Sequence, residues 1–246
     1  MKVTLLHHTP LHIVSNAIRT CWASQDKSDT ESVPKCPDCG SDFLEFQPQP
    51  LDYYLCGNCE NEVHNPDYSL VIGPEDMALI DRIGNKAKHE SVKNHMTYNF
   101  YFEGITTKTL LALTRHDIGV EFSVQSTRYT TKKAVKNGTA GYTESKSDRV
   151  NDYLKQLNEM ITDCVNHNEA NDEISLLLPQ AWQYNLTCSM SLTAVQHFLA
   201  LRLKKDAHWD IRDLANNILK SIPEDHLYLY RDYILEPGVD VGHFKN

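Results

Sequence analysis

The sequence has no apolar run near the roughly 18 residues that a membrane helix needs. Its first residues, MKVTLLHHTPLHIV, lack the long apolar core and the small-residue cleavage site of a signal peptide. We therefore expect a cytoplasmic protein with no membrane partner. The motifs GxGxxG, P-loop and GxSxG are also missing, which leaves dinucleotide-binding, kinase-type and hydrolase-elbow interpretations without support.

Positive charge is scarce as well. The 24 Lys and Arg residues are outnumbered by 33 Asp and Glu residues, and the net charge is −9. Because a protein whose whole surface grips nucleic acid is usually basic, nucleic acid is not expected as a partner. Any anionic ligand must be held by a local cluster of cations rather than by the field of the whole chain.

Helices and a few strands follow one another without βαβ regularity, which favours an α+β fold with an antiparallel sheet and flanking helices. Hydrophobic patterning predicts strands at 2–6, 96–105 and 182–190. It predicts helices at 10–22, 74–88, 106–114, 150–167, 192–203, 209–222 and 224–234. Two polar segments are expected to be loops, 23–34 and 130–149, and the second is basic and a candidate mobile lid.

Four of the seven cysteines form two CxxC pairs separated by 16 residues: Cys36 and Cys39, then Cys56 and Cys59. This spacing is typical of a tetrahedral Cys₄ zinc site. Gly40 and Gly57 suit the tight turns that aim backbone N–H groups at thiolates, and short strands are expected near Phe43–Phe46 and Tyr53–Leu55. Iron or a metal-free thiol cluster is the alternative. The other three cysteines, Cys21, Cys164 and Cys188, are expected to be buried small apolar groups.

The cysteine pairs define a predicted zinc ribbon at 35–64, inserted between 1–34 and 65–246. So small an insert has little core, and metal binding would supply its folding energy. The alternative to a purely structural role is that the ribbon contacts nucleic acid or a partner protein. Its acidic residues disfavour a grip on phosphate: Asp38, Asp42, Glu45, Glu60 and Glu62.

The densest group of anion-binding side chains lies in RHDIGVEFSVQSTRY, residues 115–129. It holds two arginines, a histidine, two serines and a tyrosine, more hydrogen-bonding groups of the kind that bind phosphate than a core element needs. A helix end that runs into a polar strand is the simpler interpretation.

This stretch resembles the signature of the flavin-dependent thymidylate synthases, which is RHR, then about seven intervening residues, a serine and a nearby RY. The likeness extends, in matching order, to AIRTCWASQDKSD, LIDRIGNKAKHESVKNHMTYNFYFEGI, HFLALR and WDIRDLANNILKSIPEDHLYLY. The resemblance implies the fold of that family and a homotetramer with FAD at its subunit interfaces. It also implies NADPH as the reductant of the flavin, and conversion of dUMP to dTMP with methylenetetrahydrofolate as the one-carbon donor.

The resemblance also implies roles for individual residues. Flavin contacts are implied for His89, Ser91, Arg115, His116 and His197. Nucleotide contacts are implied for Ser126, Thr127, Arg128 and Arg202, and Arg202 is also the expected catalytic residue that polarises the pyrimidine. The alternatives are surface ion pairs for the arginines, packing roles for the histidines and helix caps for the serines.

The match has departures. Asp117 replaces the second arginine of the RHR motif, and the spacing from Asp117 to Ser126 is one residue longer than the pattern. Val124 stands where many members have glutamate, Ser191–Ala194 replaces an NARS element, and Ser175 stands where a cation usually contacts phosphate. Each lost ionic contact is worth about 1.5–3 kcal/mol.

Three functions therefore remain open. The first is a thymidylate synthase, and the second is a related flavin enzyme that modifies another pyrimidine nucleotide or transfers a hydroxymethyl group. The third is a non-catalytic relative that binds a nucleotide or nucleic acid through its zinc ribbon.

Overall fold

The computed structural model describes residues 1–231 of the 246-residue chain. The strands are β1 (Lys2–His8), β2 (Glu31–Lys35), β3 (Leu44–Gln47), β4 (Tyr53–Cys56), β5 (Glu62–Val63), β6 (Asp67–Val71), β7 (Thr97–Thr106), β8 (Val120–Val124) and β9 (Gln183–Ser191). The α-helices are α1 (Leu11–Cys21), α2 (Pro74–Ile80), α3 (Glu90–Lys93), α4 (Thr107–Leu113), α5 (Thr127–Lys136), α6 (Asp148–Asn166), α7 (Asn171–Ser175), α8 (Leu192–Arg202) and α9 (Trp209–Ser221). Segments of 3₁₀ helix cover Gln25–Lys27 and Glu224–Tyr230, and Asp81–Lys86 is π-helical.

The chain forms two compact units. The sheet unit comprises Met1–Thr9 and the chain from Met96 onward, and the ribbon unit comprises Pro10–His95. Among residues 1–231, no helix is both long and apolar enough to span a bilayer.

The sheet unit is built on one antiparallel sheet with strand order β1-β7-β9-β8. Strand β7 lies in its centre and alternates in the manner of a half-buried strand, so that Tyr98, Phe100 and Phe102 are fully buried. Helices α8 and α9 contact each other and the sheet, and bury Phe198 and Leu214 among other apolar side chains. The predicted α+β fold with an antiparallel sheet and flanking helices is thus confirmed.

Helix α6 has a smaller core of its own. Its residues Ile161 and Val165 are buried against Ile174 of α7 and Trp182, which immediately precedes β9. This second core holds α6 and α7 beside the start of β9.

The last described helical segment is attached to the sheet by a buried polar contact. The hydroxyl of Tyr98 lies 2.9 Å from Nδ1 of His226, and both side chains are almost inaccessible to water. Burial, the largest influence, lowers the pKa of His226 to about 4 against the opposing charge of Asp225. His226 is therefore a neutral hydrogen-bonding partner at neutral pH.

The ribbon unit has three parts. Strands β2 and β6 pair as an antiparallel ladder, and β3, β4 and β5 form a three-stranded sheet between them in the chain. Helices α1, α2 and α3 make up the rest. A buried ion pair joins α1 to α2, because Nε of Arg19 lies 2.5 Å from the carboxylate of Asp76, which also accepts hydrogen bonds from Ser28 and Thr30.

The prediction of loops at 23–34 and 130–149 is wrong in part. Residues 127–136 form α5 rather than the start of a long loop, and 31–35 form β2. Helix α5 was not predicted because it has few apolar residues. Tertiary contacts stabilise it instead: Thr131 is buried, and the side chain of Asn171 donates to the carbonyl of Arg128 and accepts from the N–H of Lys132.

Three smaller expectations also differ. The helix predicted at 74–88 changes to π-helical geometry after Ile80. The segment predicted as a helix at 224–234 is 3₁₀ over Glu224–Tyr230, and its last residues lie outside the described part of the chain. Of the three cysteines expected to be buried, Cys188 is buried, whereas Cys164 is half-buried and Cys21 is exposed.

Candidate active site

A cavity of about 250 Å³ lies where the turn after α4 meets the first half of α8. The turn contributes Arg115, His116, Asp117 and Ile118, and α8 contributes Thr193, Ala194 and His197. Three of the residues expected to hold flavin, Arg115, His116 and His197, therefore line one cavity. Asp117, the replaced residue of the motif, lines the same cavity.

His116 is the buried centre of this site. Its Nε2 accepts a hydrogen bond from Nε of Arg202 at 3.1 Å, and its ring makes edge contacts with Phe198 and His197. Because Nε2 accepts, the neutral ring carries its proton on Nδ1. Burial, followed by the charges of Arg202, His197 and Arg115, lowers the pKa of His116 to about 4. The ring is thus neutral near pH 7 and can orient Arg202 without repelling it.

Positive charge is concentrated around this cavity. Arg202 is half-buried, and its pKa is lowered first by burial and then by the charge of Arg115. Two guanidinium groups close enough to affect each other favour an anionic ligand that would relieve their repulsion. Asp117 offsets part of this charge, since it acts to raise the pKa of His116.

The position of Arg115 and His116 depends on a glycine turn. Gly119 has φ +71°, and its carbonyl accepts a 2.8 Å hydrogen bond from the N–H of Ser191. A Cβ atom at Gly119 would lie 2.5 Å from Oγ of Ser191. That Oγ caps α8 by accepting from the N–H of Ala194. The turn therefore needs glycine both for its backbone angle and for its close approach to the start of α8.

The residues expected to bind nucleotide lie at the N-terminus of α5 rather than in the cavity. Ser126 is the N-cap residue, is exposed and makes no capping bond, and Thr127 opens the helix. The first N–H groups of a helix lack acceptors within it and favour phosphate. Arg128 is exposed, and its Nε forms a 3.3 Å ion pair with Asp172 of α7. Arg202, by contrast, bonds directly to the cavity residue His116.

His89 and Ser91 belong to the ribbon unit. His89 precedes α3 and is exposed, and its N–H donates to the carbonyl of Ile83. Ser91 lies in the single turn of α3 and is also exposed. Both side chains are thus available to a ligand.

The four cysteines of the CxxC pairs converge. Their sulfur atoms all lie within 4.8 Å of one another, and the pairs Cys36–Cys59 and Cys39–Cys56 are each 3.6 Å apart. Tetrahedral zinc with bonds of about 2.3 Å places its sulfurs about 3.8 Å apart. The donor set and its spacing therefore fit a tetrahedral metal ion.

The two cysteine turns repeat one geometry. Gly40 donates to the carbonyl of Cys36 and has φ +72°, and Glu60 donates to the carbonyl of Cys56 and has φ +60°. Gly57 is not in the left-handed region, contrary to the role expected from the sequence. Glycine is needed there because a Cβ atom would lie 2.1 Å from the ring of Phe43.

Sequence patterns did not reveal the partners that hold α4 in place. The hydroxyls of Thr106 and Thr109 both donate to the buried carboxylate of Asp210 at the start of α9. The threonine pair before an apolar helix is a visible signal for a cap. No local sequence pattern connects this threonine pair to Asp210, about 100 residues later in the chain.

Comparisons with known proteins agree with this geometry. The family model described as "Thymidylate synthase complementing protein" matches residues 4–226. The flavin-dependent thymidylate synthase of Wolinella succinogenes is 33% identical over 240 residues, which span 94% of this chain and 97% of that protein. The enzyme of the same name from Helicobacter pylori strain 26695 is 28% identical, over 94% of this chain and 98% of that protein.

Solved structures give the same result. Thymidylate Synthase X from Helicobacter pylori, solved with FAD and dUMP, superposes with a TM-score of 0.74 and 26% identity over 96% of this chain and 100% of that one. A UMP/dUMP methylase from Streptomyces cacaoi, solved with 5-Br dUMP, has a TM-score of 0.60 over 94% of this chain and 95% of that one; at 16% identity it shows the fold alone.

Fold and site together define an enzyme of the flavin-dependent thymidylate synthase class. The chain belongs to the Thymidylate synthase complementing protein family, as the signature at 115–129 predicted. The roles of individual residues, the boundaries of the ribbon insertion and the cytoplasmic location stay predictions.

Replacing Gly119 with alanine tests the turn that carries Arg115 and His116. The matched control is Gly138→Ala, because Gly138 has φ +65° and no atom within 4 Å of an added Cβ. Both variants should lose about 1 kcal/mol of unfolding free energy from the left-handed backbone. Gly119→Ala should lose about 1 kcal/mol more, since Ser191 must give up its cap. Equal losses in denaturant melts would contradict the close approach.

Proposed function

We propose that this chain methylates dUMP to dTMP by flavin chemistry, with methylenetetrahydrofolate as the one-carbon donor and NADPH as the reductant. The observation that carries the proposal is one cavity lined by Arg115, neutral His116 and His197, with Arg202 hydrogen-bonded to His116. A relative with this fold was solved with FAD and dUMP.

The residues of the cavity fit a phosphorylated flavin. Arg115 offers a bidentate, permanently charged guanidinium for the pyrophosphate. His116 and His197 offer flat faces and ring nitrogens. His89 and Ser91 are proposed as flavin contacts on the family resemblance alone. When bound, the flavin supplies the hydride that the reaction requires.

The nucleotide is proposed to be held by Ser126, Thr127, Arg128 and Arg202. The exposed hydroxyl of Ser126 and the first N–H groups of α5 suit a phosphate. Arg128 would exchange its exposed partner Asp172 for that phosphate, at little cost because exposed ion pairs contribute only about 0–1 kcal/mol. Arg202 donates Nε to His116 and keeps its remaining N–H groups for the pyrimidine, which they would polarise.

Asp117 favours a second candidate, a flavin enzyme that modifies another pyrimidine nucleotide or transfers a hydroxymethyl group. Asp117 lines the same cavity as Arg115, where a carboxylate lowers the attraction for a phosphate and adds an acceptor for a substrate amino group. The product therefore has to be identified, and not only its formation measured.

The decisive experiment is nucleotide-dependent NADPH oxidation with product identification by mass. The purified protein should be yellow, oxidise NADPH faster with dUMP present and yield dTMP. Arg202→Ala should lower turnover at least 100-fold, equivalent to about 2.7 kcal/mol of lost transition-state stabilisation, while flavin stays bound.

Arg149→Ala is the matched control, because Arg149 is an exposed arginine in the first turn of α6. A fully active Arg202→Ala variant would refute the catalytic role. A flavoprotein that responds to dCMP but not dUMP, or that forms a hydroxymethylated product, would establish the second candidate. A colourless protein that cannot be reconstituted with FAD would exclude both.

We further propose that the four cysteines hold one structural zinc ion and that 35–64 is an insertion folded by it. The sulfurs that surround the site offer four thiolate ligands and no open coordination position, as in structural zinc sites. The apolar core of the ribbon is limited to a few residues around Val63, Leu44 and Tyr54, so metal ligation would supply much of its stability.

Metal analysis tests this site. Wild type should contain about one zinc per chain, and Cys36→Ser and Cys56→Ser should each lose it. Cys21→Ser, at an exposed cysteine of the same unit, should retain it. Wild-type protein with iron, or with no metal after expression in zinc-supplemented medium, would rule out the zinc assignment.

Finally, we propose a homotetramer with its flavin sites at subunit interfaces. Ile118 lines the cavity but is 87% exposed, as expected of an apolar residue that a neighbouring subunit covers. Light scattering should give about four times the 28.1 kDa chain mass. Ile118→Asp should weaken the tetramer, whereas Leu55→Asp on the ribbon should leave it unchanged; a monomer in the wild type would contradict the proposal.

A further inference from the structure

The sheet unit contains a second cavity, of about 270 Å³, at the N-terminal ends of α4 and α9. It shares no lining residue with the cavity of His116. Its lining includes Leu154, Trp209, Thr143 and Ser145, together with Lys108 and His208. The proposed flavin and nucleotide contacts leave all of these groups without a role.

The wall formed by the segment after α5 is fixed in place. The N–H of Thr143 donates to the carbonyl of Ala181 at 2.9 Å, and Tyr142 forms a β-bridge with Trp182. The side chain of Asn151 accepts from the N–H of Ser145 at 2.7 Å and donates to its carbonyl at 3.0 Å. In this structure, the segment that its composition suggested as a lid forms one side of the pocket.

Two lysines bring positive charge to this cavity. Lys108 lines it, and Nζ of Lys146 lies 5.5 Å from the ring centroid of the lining residue Trp209, a cation–π distance. Within residues 1–231, neither lysine has a carboxylate within 4.0 Å. Burial, and then the charges of Lys108 and Lys146, lower the pKa of His208 against the opposing charge of Asp210. In a chain of net charge −9, this local excess of cations is a distinct feature.

The one acidic group of the cavity is already occupied. Asp210 is 3% exposed, and its Oδ2 accepts hydrogen bonds from the hydroxyls of Thr106 and Thr109. It therefore does not compete for the two lysines. Its negative charge does disfavour a dianion, and no arginine fork lines the cavity to bind a phosphate in a bidentate manner.

We propose that this cavity binds a small aromatic carboxylate, with its ring against Trp209 and Leu154 and its carboxylate on Lys108 and Lys146. The volume is slightly below the roughly 300–1,000 Å³ of pockets for drug-sized ligands, so it suits one or two fused rings. The apolar wall supplies the affinity for the ring, and the two lysines select for the single negative charge. The site is separate from the proposed reaction.

The test uses the full chain and 2-naphthoate as the probe. Binding is measured by calorimetry and by quenching of tryptophan fluorescence. The Kd should be below about 1 mM, and the neutral analogue 2-naphthamide should bind at least about tenfold more weakly. Lys108→Ala and Lys146→Ala should each weaken 2-naphthoate about three- to tenfold. Lys155→Ala, an exposed lysine of α6 outside the lining, is the matched control and should bind like the wild type.

Several outcomes would overturn the proposal. They are no binding up to about 10 mM, equal binding of 2-naphthoate and 2-naphthamide, and equal affinity in the lysine variants and the control. Because both lysines are exposed, thermal melts should show that their variants fold normally. Arg202→Ala should bind 2-naphthoate like the wild type, because Arg202 does not line this cavity. A variant that loses turnover but still binds 2-naphthoate would show that this binding site is independent of the active site.

Discussion

The hydrogen bond from the N–H of Ser191 to the carbonyl of Gly119 joins three parts of the sheet unit at one point. It connects the turn after α4, the end of β9 and the start of α8. Because Gly119 has no side chain, the turn approaches α8 closely enough for His116 to reach Arg202. The contact fixes the approach to α8 of the turn that carries Arg115, His116 and Asp117, and this turn and α8 together line the cavity.

In this acidic chain, positive side chains are grouped at two cavities. Burial keeps His116 neutral, so it can orient Arg202 by a hydrogen bond where a protonated ring would repel it. The same unit has a second group of cations, in which Lys108 and Lys146 lie beside a mostly apolar pocket that contains Trp209. Two cationic cavities with different chemistry can thus coexist in a protein of net charge −9.

Much of the fold could be predicted from one sequence because its elements have strong local patterns. The alternation of aromatic residues in 97–106 predicts β7, and the apolar face of 209–221 predicts α9. Helix α5 could not be predicted this way, since it is polar on most faces. It depends on buried Thr131 and on Asn171, a residue distant in sequence.

The sequence by itself determined the family and the cysteine cluster. Both are encoded over short spacings: the signature lies within 115–129, and each CxxC turn brings its two sulfurs together through local backbone geometry. Only the tertiary structure decided which side chains meet across the chain. His116 bonds Arg202 over 86 positions, and Thr106 bonds Asp210 over 104. Such pairs are set by the packing of α4, α8 and α9, which no local pattern specifies.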